Sequence, residues 1–137
     1  MSIVVSARHP LASVRKVSWR QLAQYPWIMP RDETPARAII EALFAANNVQ
    51  APRPVIQSAV AQLNFIVLIQ SDLIGVMGKD AAILHVQSGH LATLDVKMPQ
   101  NLPPVGVITR TGHHSPALGV FLNALRATAT SDHAHLF

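Results

Sequence analysis

Two helix beginnings are the positions in this sequence best placed to bind a ligand. Thr34 and Ser58 each follow a short apolar stretch and stand directly before an apolar helical pattern. The first turn of a helix presents unpaired N–H groups and a partial positive charge, and both favour a carboxylate. Arg31, in the loop before Thr34, could hold the same anion through two parallel hydrogen bonds.

The residues around these beginnings complete the predicted binding site. In an open parallel sheet, ligands gather beyond the carboxyl ends of the strands, which would bring both beginnings to one edge. Each residue also has an ordinary structural interpretation, as a helix cap, a solvated loop arginine or an apolar strand end. The expected ligand contacts are Met29, Pro30, Arg31, Thr34, Ser58 and Ala59.

Other chemistry has little support. The chain has no cysteine, which removes disulfides, thiolate catalysis and cysteine-ligated zinc. Its histidines are scattered, and Asp32 and Glu33 share a polar loop with nothing apolar beside them to desolvate a catalytic carboxylate pair. Glycine-rich phosphate loops and nucleophile-elbow motifs are absent. We therefore expect no enzyme activity, no metal and no cofactor.

The composition is that of a folded chain with few charges. Half of its 137 residues are apolar, 13% are charged and the formal net charge is +4. The basic residues are scattered and none alternates with aromatic residues, so direct contact with nucleic acid is not expected. Residues 1–11 do not resemble a secretory signal and no apolar run could span a bilayer, which favours a cytoplasmic protein without a membrane segment.

The elements that must position the site alternate along the chain. Helices are predicted at 19–24, from Thr34-Pro35 to Asn47-Asn48, from Ser58 to about residue 70, at 79–87 and at 115–128. Strands are predicted at 3–6, 27–29, 54–57, 73–77, 91–96 and 105–109. This order predicts an α/β fold with a parallel or mixed sheet flanked by helices, followed by a flexible tail over 129–137.

Three stretches resemble the effector-binding domain of LysR-type transcriptional regulators. They are VVSARHPLA with VSWRQLAQYPWIMP, then ETPARAIIEALFAANNVQAPRPVIQSAVAQLNFIVLIQSDLIGVM, and finally LPPVGVITRTGHHSPALGVFLNALRA. The similarity covers residues 3–127 in the expected order. Gly78 departs from it, since the family often has a proline after the corresponding strand.

The resemblance implies a type II periplasmic-binding-protein-like fold, in which two lobes joined by crossing strands enclose a small effector, commonly an organic acid. Residues 1–128 would be part of such a domain. The second lobe would span about 3–104, and 105–128 would be the returning strand and the last helix. Most of the first lobe and the winged helix-turn-helix have no counterpart in these residues, so DNA contact would belong to that other domain.

We also expect this chain to form a homo-oligomer, because the low charge suggests that another chain or lobe covers part of the surface. By the resemblance, the returning strand and last helix would make that contact, through Val107, Thr109, Leu118, Phe121, Leu122 and Leu125. Three alternatives stay open: a module that only dimerises, a small α/β enzyme and a fragment of an extracytoplasmic solute-binding protein.

Overall fold

The computed structural model describes residues 1–96, 107–110, 112 and 115–132, and divides the chain into two compact units, Met1–Leu102 and Pro103–Phe137. The strands are β1 (Ser2–Ser6), β2 (Ile28–Met29), β3 (Ile56–Gln57), β4 (Gly75–Met77) and β5 (Leu91–Thr93). The α-helices are α1 (Trp19–Leu22), α2 (Pro35–Ala46), α3 (Ala61–Ile69), α4 (Lys79–Gln87) and α5 (Pro116–Asp132), and a short 3-10 helix covers Pro10–Ser13.

The strands of the first unit form a mixed sheet, as the sequence predicts. β1 pairs antiparallel with β4 on one side and with β5 on the other. β2 pairs in parallel with β3, and hydrogen bonds from the Ile28 N–H to the Ile74 carbonyl and from the Ile74 N–H to the Pro26 carbonyl, both 2.9 Å, join β2 to the start of β4. The three-stranded sheet β4-β1-β5 and the two-stranded sheet β2-β3 are thus linked by the parallel bridge between Trp27 and Ile74. The combined order is β3-β2-β4-β1-β5, and among these strands β1 alone runs against the rest.

Alternate residues of the strands feed two hydrophobic cores, one on each face of the sheet. Ile3 and Val5 of β1 belong to the core that contains Ile40 and Phe44 of α2. Val4, between them, belongs to the core that contains Leu68 of α3, together with Ala82 of α4. Because successive strand side chains point to opposite faces, α2 and α3 lie on opposite sides of the sheet.

Local signals fix several helix ends where the sequence predicts them. The Ser18 hydroxyl accepts a hydrogen bond from the Gln21 N–H, and the Gln21 side chain accepts one from the Ser18 N–H, which closes a capping box at α1. α2 begins with Thr34 as cap and Pro35 at its first position. It ends at Asn47-Asn48, where Asn48 takes a left-handed conformation with φ of 54°.

Several predicted boundaries differ from the structure, and three of the differences concern the site and the last helix. Ser58 does not cap α3, whose N-cap is Val60, because the Ser58 hydroxyl instead accepts the Val60 N–H at 3.1 Å in a local turn. Val107 and Thr109, the described end of the predicted strand at 105–109, lie outside any strand. α5 runs to Asp132, so 129–132 are helical and not a tail, while 133–137 lie outside the described residues.

Candidate functional site

The carboxyl ends of β2 and β3 lie side by side and bring the two predicted ligand-binding segments together. Met29 is the register partner of Gln57, and the Ser58 N–H continues the ladder to the Met29 carbonyl at 3.0 Å. The loop to α2 leaves after Met29 and the turn to α3 leaves after Gln57. Because α2 and α3 cover opposite faces, their first turns flank this edge of the sheet from both sides.

The first turn of α2 is already largely occupied by its own hydrogen bonds. The Thr34 hydroxyl accepts the Arg37 N–H at 3.3 Å and donates to the Arg31 carbonyl at 2.8 Å. Pro35 has no N–H to offer. Thr34 therefore acts as a helix cap, and its hydroxyl proton has an acceptor within the loop.

The first turn of α3 is open. Its N-cap Val60 provides no side-chain hydrogen bond, so the N–H groups of Ala61, Gln62 and Leu63 have no partner among the described residues. The Ser58 hydroxyl oxygen accepts the Val60 N–H, and its proton has no acceptor in the described part of the chain. These donors form a cluster at the positive end of a nine-residue helix.

The other predicted site residues differ in accessibility. Met29 is 1% exposed and packs in the core, so its side chain supports the loop from beneath. Pro30 is half-buried, Ala59 is exposed, and Arg31 is exposed with Glu33 at 3.8 Å from its Nε. The structure thus brings all the predicted segments to one edge but turns Met29 inwards.

Sequence reasoning missed a polar network beside this edge. The Gln57 side-chain amide donates to both oxygens of Asp32, at 3.1 and 3.2 Å. Arg37, a buried residue of the first turn of α2, contacts Asp32 and Glu41. The spacing of Arg37 and Glu41 by four residues is a signal for that ion pair, whereas Asp32 and Gln57 are too far apart in sequence to be paired by any local pattern.

Two cavities of about 300 and 290 Å³ lie away from the predicted site, which lines neither of them. The first lies at the start of β1 beside Lys79, and the second lies at the end of β1 beside Arg8 and His90. Within the described residues, no group of three histidine, cysteine or acidic side chains could hold a metal ion. No helix in that part of the chain is both long enough and apolar enough to cross a bilayer.

His9 is buried at the turn after β1 and has a structural role. Its Nδ1 accepts the Leu11 N–H at 3.0 Å, which leaves Nε2 to donate to the Asp72 carbonyl at 3.2 Å. Burial lowers the pKa of His9, and the hydrogen bond to Asp72 and the charge of that residue oppose the change only in part. The neutral imidazole therefore caps the 3-10 helix.

The chain matches a family model described as the LysR substrate binding domain over residues 1–130. It therefore belongs to this family of effector-binding domains of LysR-type transcriptional regulators. It is 30% identical over 133 residues to the HTH-type transcriptional regulator GalR of Pseudomonas putida, covering 95% of this chain and 33% of that protein. The chain thus spans about a third of the length of this curated relative.

Solved structures confirm the type II periplasmic-binding-protein-like fold. The effector-binding domain of QuiR in complex with shikimate superposes with a TM-score of 0.64 at 23% identity, over 89% of this chain and 57% of that one. The regulatory domain of Synechocystis PCC6803 CcmR in complex with 2-PG superposes with a TM-score of 0.68 at 19% identity, over 93% of this chain and 61% of that one.

Proposed function

We propose that this chain senses a small organic anion as the effector-binding part of a cytoplasmic LysR-type regulator, without catalytic activity of its own. The observation that carries the proposal is the open first turn of α3 at the shared edge of β2 and β3. Three N–H groups and the proton of the Ser58 hydroxyl lie there without a partner in the described part of the chain. Such an arrangement favours the oxygens of a carboxylate or phosphate.

Ser58 is the central residue of this proposal. Its backbone is fixed by the hydrogen bond to Met29, and its hydroxyl oxygen is fixed by the Val60 N–H. The hydroxyl proton is therefore the only part of Ser58 left to point at a ligand. Thr34 differs, because both functions of its hydroxyl are used within the loop.

The relatives support an anionic effector without identifying it. QuiR was solved with shikimate, a carboxylate, and CcmR was solved with 2-PG. By the family relation, DNA binding by the whole regulator would reside outside the described lobe, and the effector would change the arrangement of that regulator on DNA.

Isothermal titration with shikimate tests the proposed anion site. We expect Ser58→Ala to weaken binding by about tenfold or more, the loss of one hydrogen bond to a charged group. Ser18→Ala is the matched control, because it removes a serine cap from α1, away from this edge, and should leave affinity unchanged. Equal affinity of the Ser58→Ala variant and the unaltered chain would contradict the proposal.

Self-association is the second part of the proposal. The predicted contact residues Val107 and Phe121 are both 57% exposed, and Leu125 is 38% exposed. Apolar side chains that are exposed to this extent favour a second copy of the chain as their cover. The remaining members of the proposed contact are Thr109, Leu118 and Leu122.

Light scattering after size exclusion tests this contact. Phe121→Glu should shift the chain towards monomer, because it places a charge in the proposed contact. Asn123→Glu, at an exposed polar position on the same helix, is the control and should leave the mass unchanged. A monomeric unaltered chain at micromolar concentration would contradict self-association.

A further inference from the structure

Arg37 is a buried cation at the proposed anion site that the sequence does not single out. It lies in the first turn of α2, and its side chain is only 8% exposed. Arginine is seldom buried unless its charge is paired and its N–H groups are hydrogen-bonded. A buried guanidinium such as this one is therefore expected to have a partner for each of its N–H groups.

The guanidinium is only partly satisfied. Its Nε donates to Glu41 Oε1 at 2.7 Å, which is a short and well-formed hydrogen bond. Its Nη1 lies 3.2 Å from Asp32 Oδ1, within range of an ion pair, but the geometry does not meet that of a hydrogen bond. Nη1 is thus a buried donor without an aligned acceptor among the described residues. Buried donors of this kind are rare in native folds, and an oxyanion with the right alignment would give this one an acceptor.

Asp32 connects this donor to the edge of the sheet. Its side chain is 64% exposed, and its carboxylate also accepts a hydrogen bond from the side-chain amide of Gln57, the last residue of β3. It lies in the loop between β2 and α2, two residues before the Thr34 cap. An exposed carboxylate therefore stands beside the buried Nη1 donor, at the edge where the proposed anion would bind.

We propose that Arg37 Nη1 is a specificity-determining donor for the effector's oxyanion, and that the Asp32 carboxylate is a built-in competitor that the effector displaces. The inference rests on the proposed function, since it assigns a further contact to the same anion. The incoming oxygen forms the aligned hydrogen bond that Asp32 does not, and Asp32 keeps its contact with Gln57. The ligand class is a small carboxylate or phosphate that reaches from α3 to α2.

Arg31 is the alternative cation, and its environment argues against it. Its side chain is 69% exposed and lies 3.8 Å from Glu33, an arrangement typical of a solvated surface pair. Holding such a side chain on a ligand costs conformational entropy that the fixed Arg37 guanidinium has already lost.

The test compares two substitutions that remove one negative charge from the same loop. Asp32→Asn removes the competitor while keeping an oxygen for Gln57, and Glu33→Gln removes a neighbouring charge that does not contact Arg37. We expect Asp32→Asn to tighten shikimate binding by about five- to tenfold, the effect of one freed charged donor. Glu33→Gln should change it by less than about twofold. Methyl shikimate, which lacks the anion, should show no gain in either variant.

The outcomes distinguish the role of Arg37 from the proposed anion site. Equal affinities for the Asp32→Asn and Glu33→Gln variants, or an equal gain for methyl shikimate, would overturn the role of Arg37. If Ser58→Ala still weakened binding in that case, the proposed function would stand. Absence of shikimate binding in the unaltered chain and in all variants would overturn both.

Discussion

Gly75→Ala offers a direct test of how tightly α3 packs on the sheet. A Cβ at position 75 would lie 3.1 Å from Ile28 Cγ2, and 3.1 and 3.2 Å from the two terminal carbons of Leu68. Ordinary contact begins at 3.4 Å, so these neighbours must move by a few tenths of an ångström. Leu68 is 1% exposed and is the one fully buried residue of α3. Its side chain has little free space to move into, so the strain is passed to the helix that carries it.

The expected cost is that of an overfilled core, about 1–3 kcal/mol in the free energy of unfolding. For a chain of this length, a destabilisation of 1 kcal/mol lowers Tm by roughly 3–6 °C. Urea unfolding followed by far-UV circular dichroism measures the free energy directly. Any movement of α3 should also weaken binding of the anion proposed for this edge, because the open first turn moves with the helix.

A double-mutant cycle with Leu68→Ala separates this contact from other effects of the substitution. Leu68→Ala alone should cost about 2–5 kcal/mol as a buried cavity. In that background Gly75→Ala should cost much less than in the unaltered chain, because two of its three close contacts are gone. The same cost in both backgrounds would refute the packing argument.

Three further substitutions or conditions have predictable outcomes. Thr34→Val should lower the free energy of unfolding in urea by about 1 kcal/mol through the lost cap. It should change the affinity for the proposed anion little, and a titration that shows weaker binding with unchanged stability would contradict this. Gly78→Ser should stabilise the chain by a few tenths of a kcal/mol by capping α4, since no atom lies within 4 Å of an added Cβ; an unchanged midpoint in urea would count against this. Because burial lowers the pKa of His9 below its usual 6.5, its stabilising contribution is complete above pH 6.5 and is lost as the pH falls from there towards the lowered pKa. The free energy of unfolding of the unaltered chain should therefore be lower at pH 5.5 than at pH 7.5. A His9→Gln variant should not show that loss.

The sequence predicts those helix ends that are set by hydrogen bonds between residues close together in the chain. The Ser18 and Thr34 caps and the Asn47-Asn48 helix end are set by residues within four positions of one another, and all are confirmed. The start of α3 was predicted too early because a serine hydroxyl can bond the N–H two residues on as readily as it can cap a helix.

The character of the candidate site depends on contacts that no local pattern encodes. Arg37 reads as a helix-surface residue, and only the fold reveals that it is buried between Asp32 and Glu41. The contact of Asp32 with Gln57 joins residues 25 positions apart. The difference between an occupied α2 turn and an open α3 turn likewise appears only when every hydroxyl is assigned its partners.

The place of β1 in the sheet has a consequence for synthesis. Within this unit β1 is synthesised before both of its partners, since Ile3 pairs with Val76 and Val5 pairs with Ala92. The apolar side chains on both faces of β1 therefore stay uncovered until these later strands have been synthesised. Such long-range pairing slows folding and lengthens the exposure of an unpaired apolar strand, so the nascent protein should be a good client for ribosome-associated chaperones.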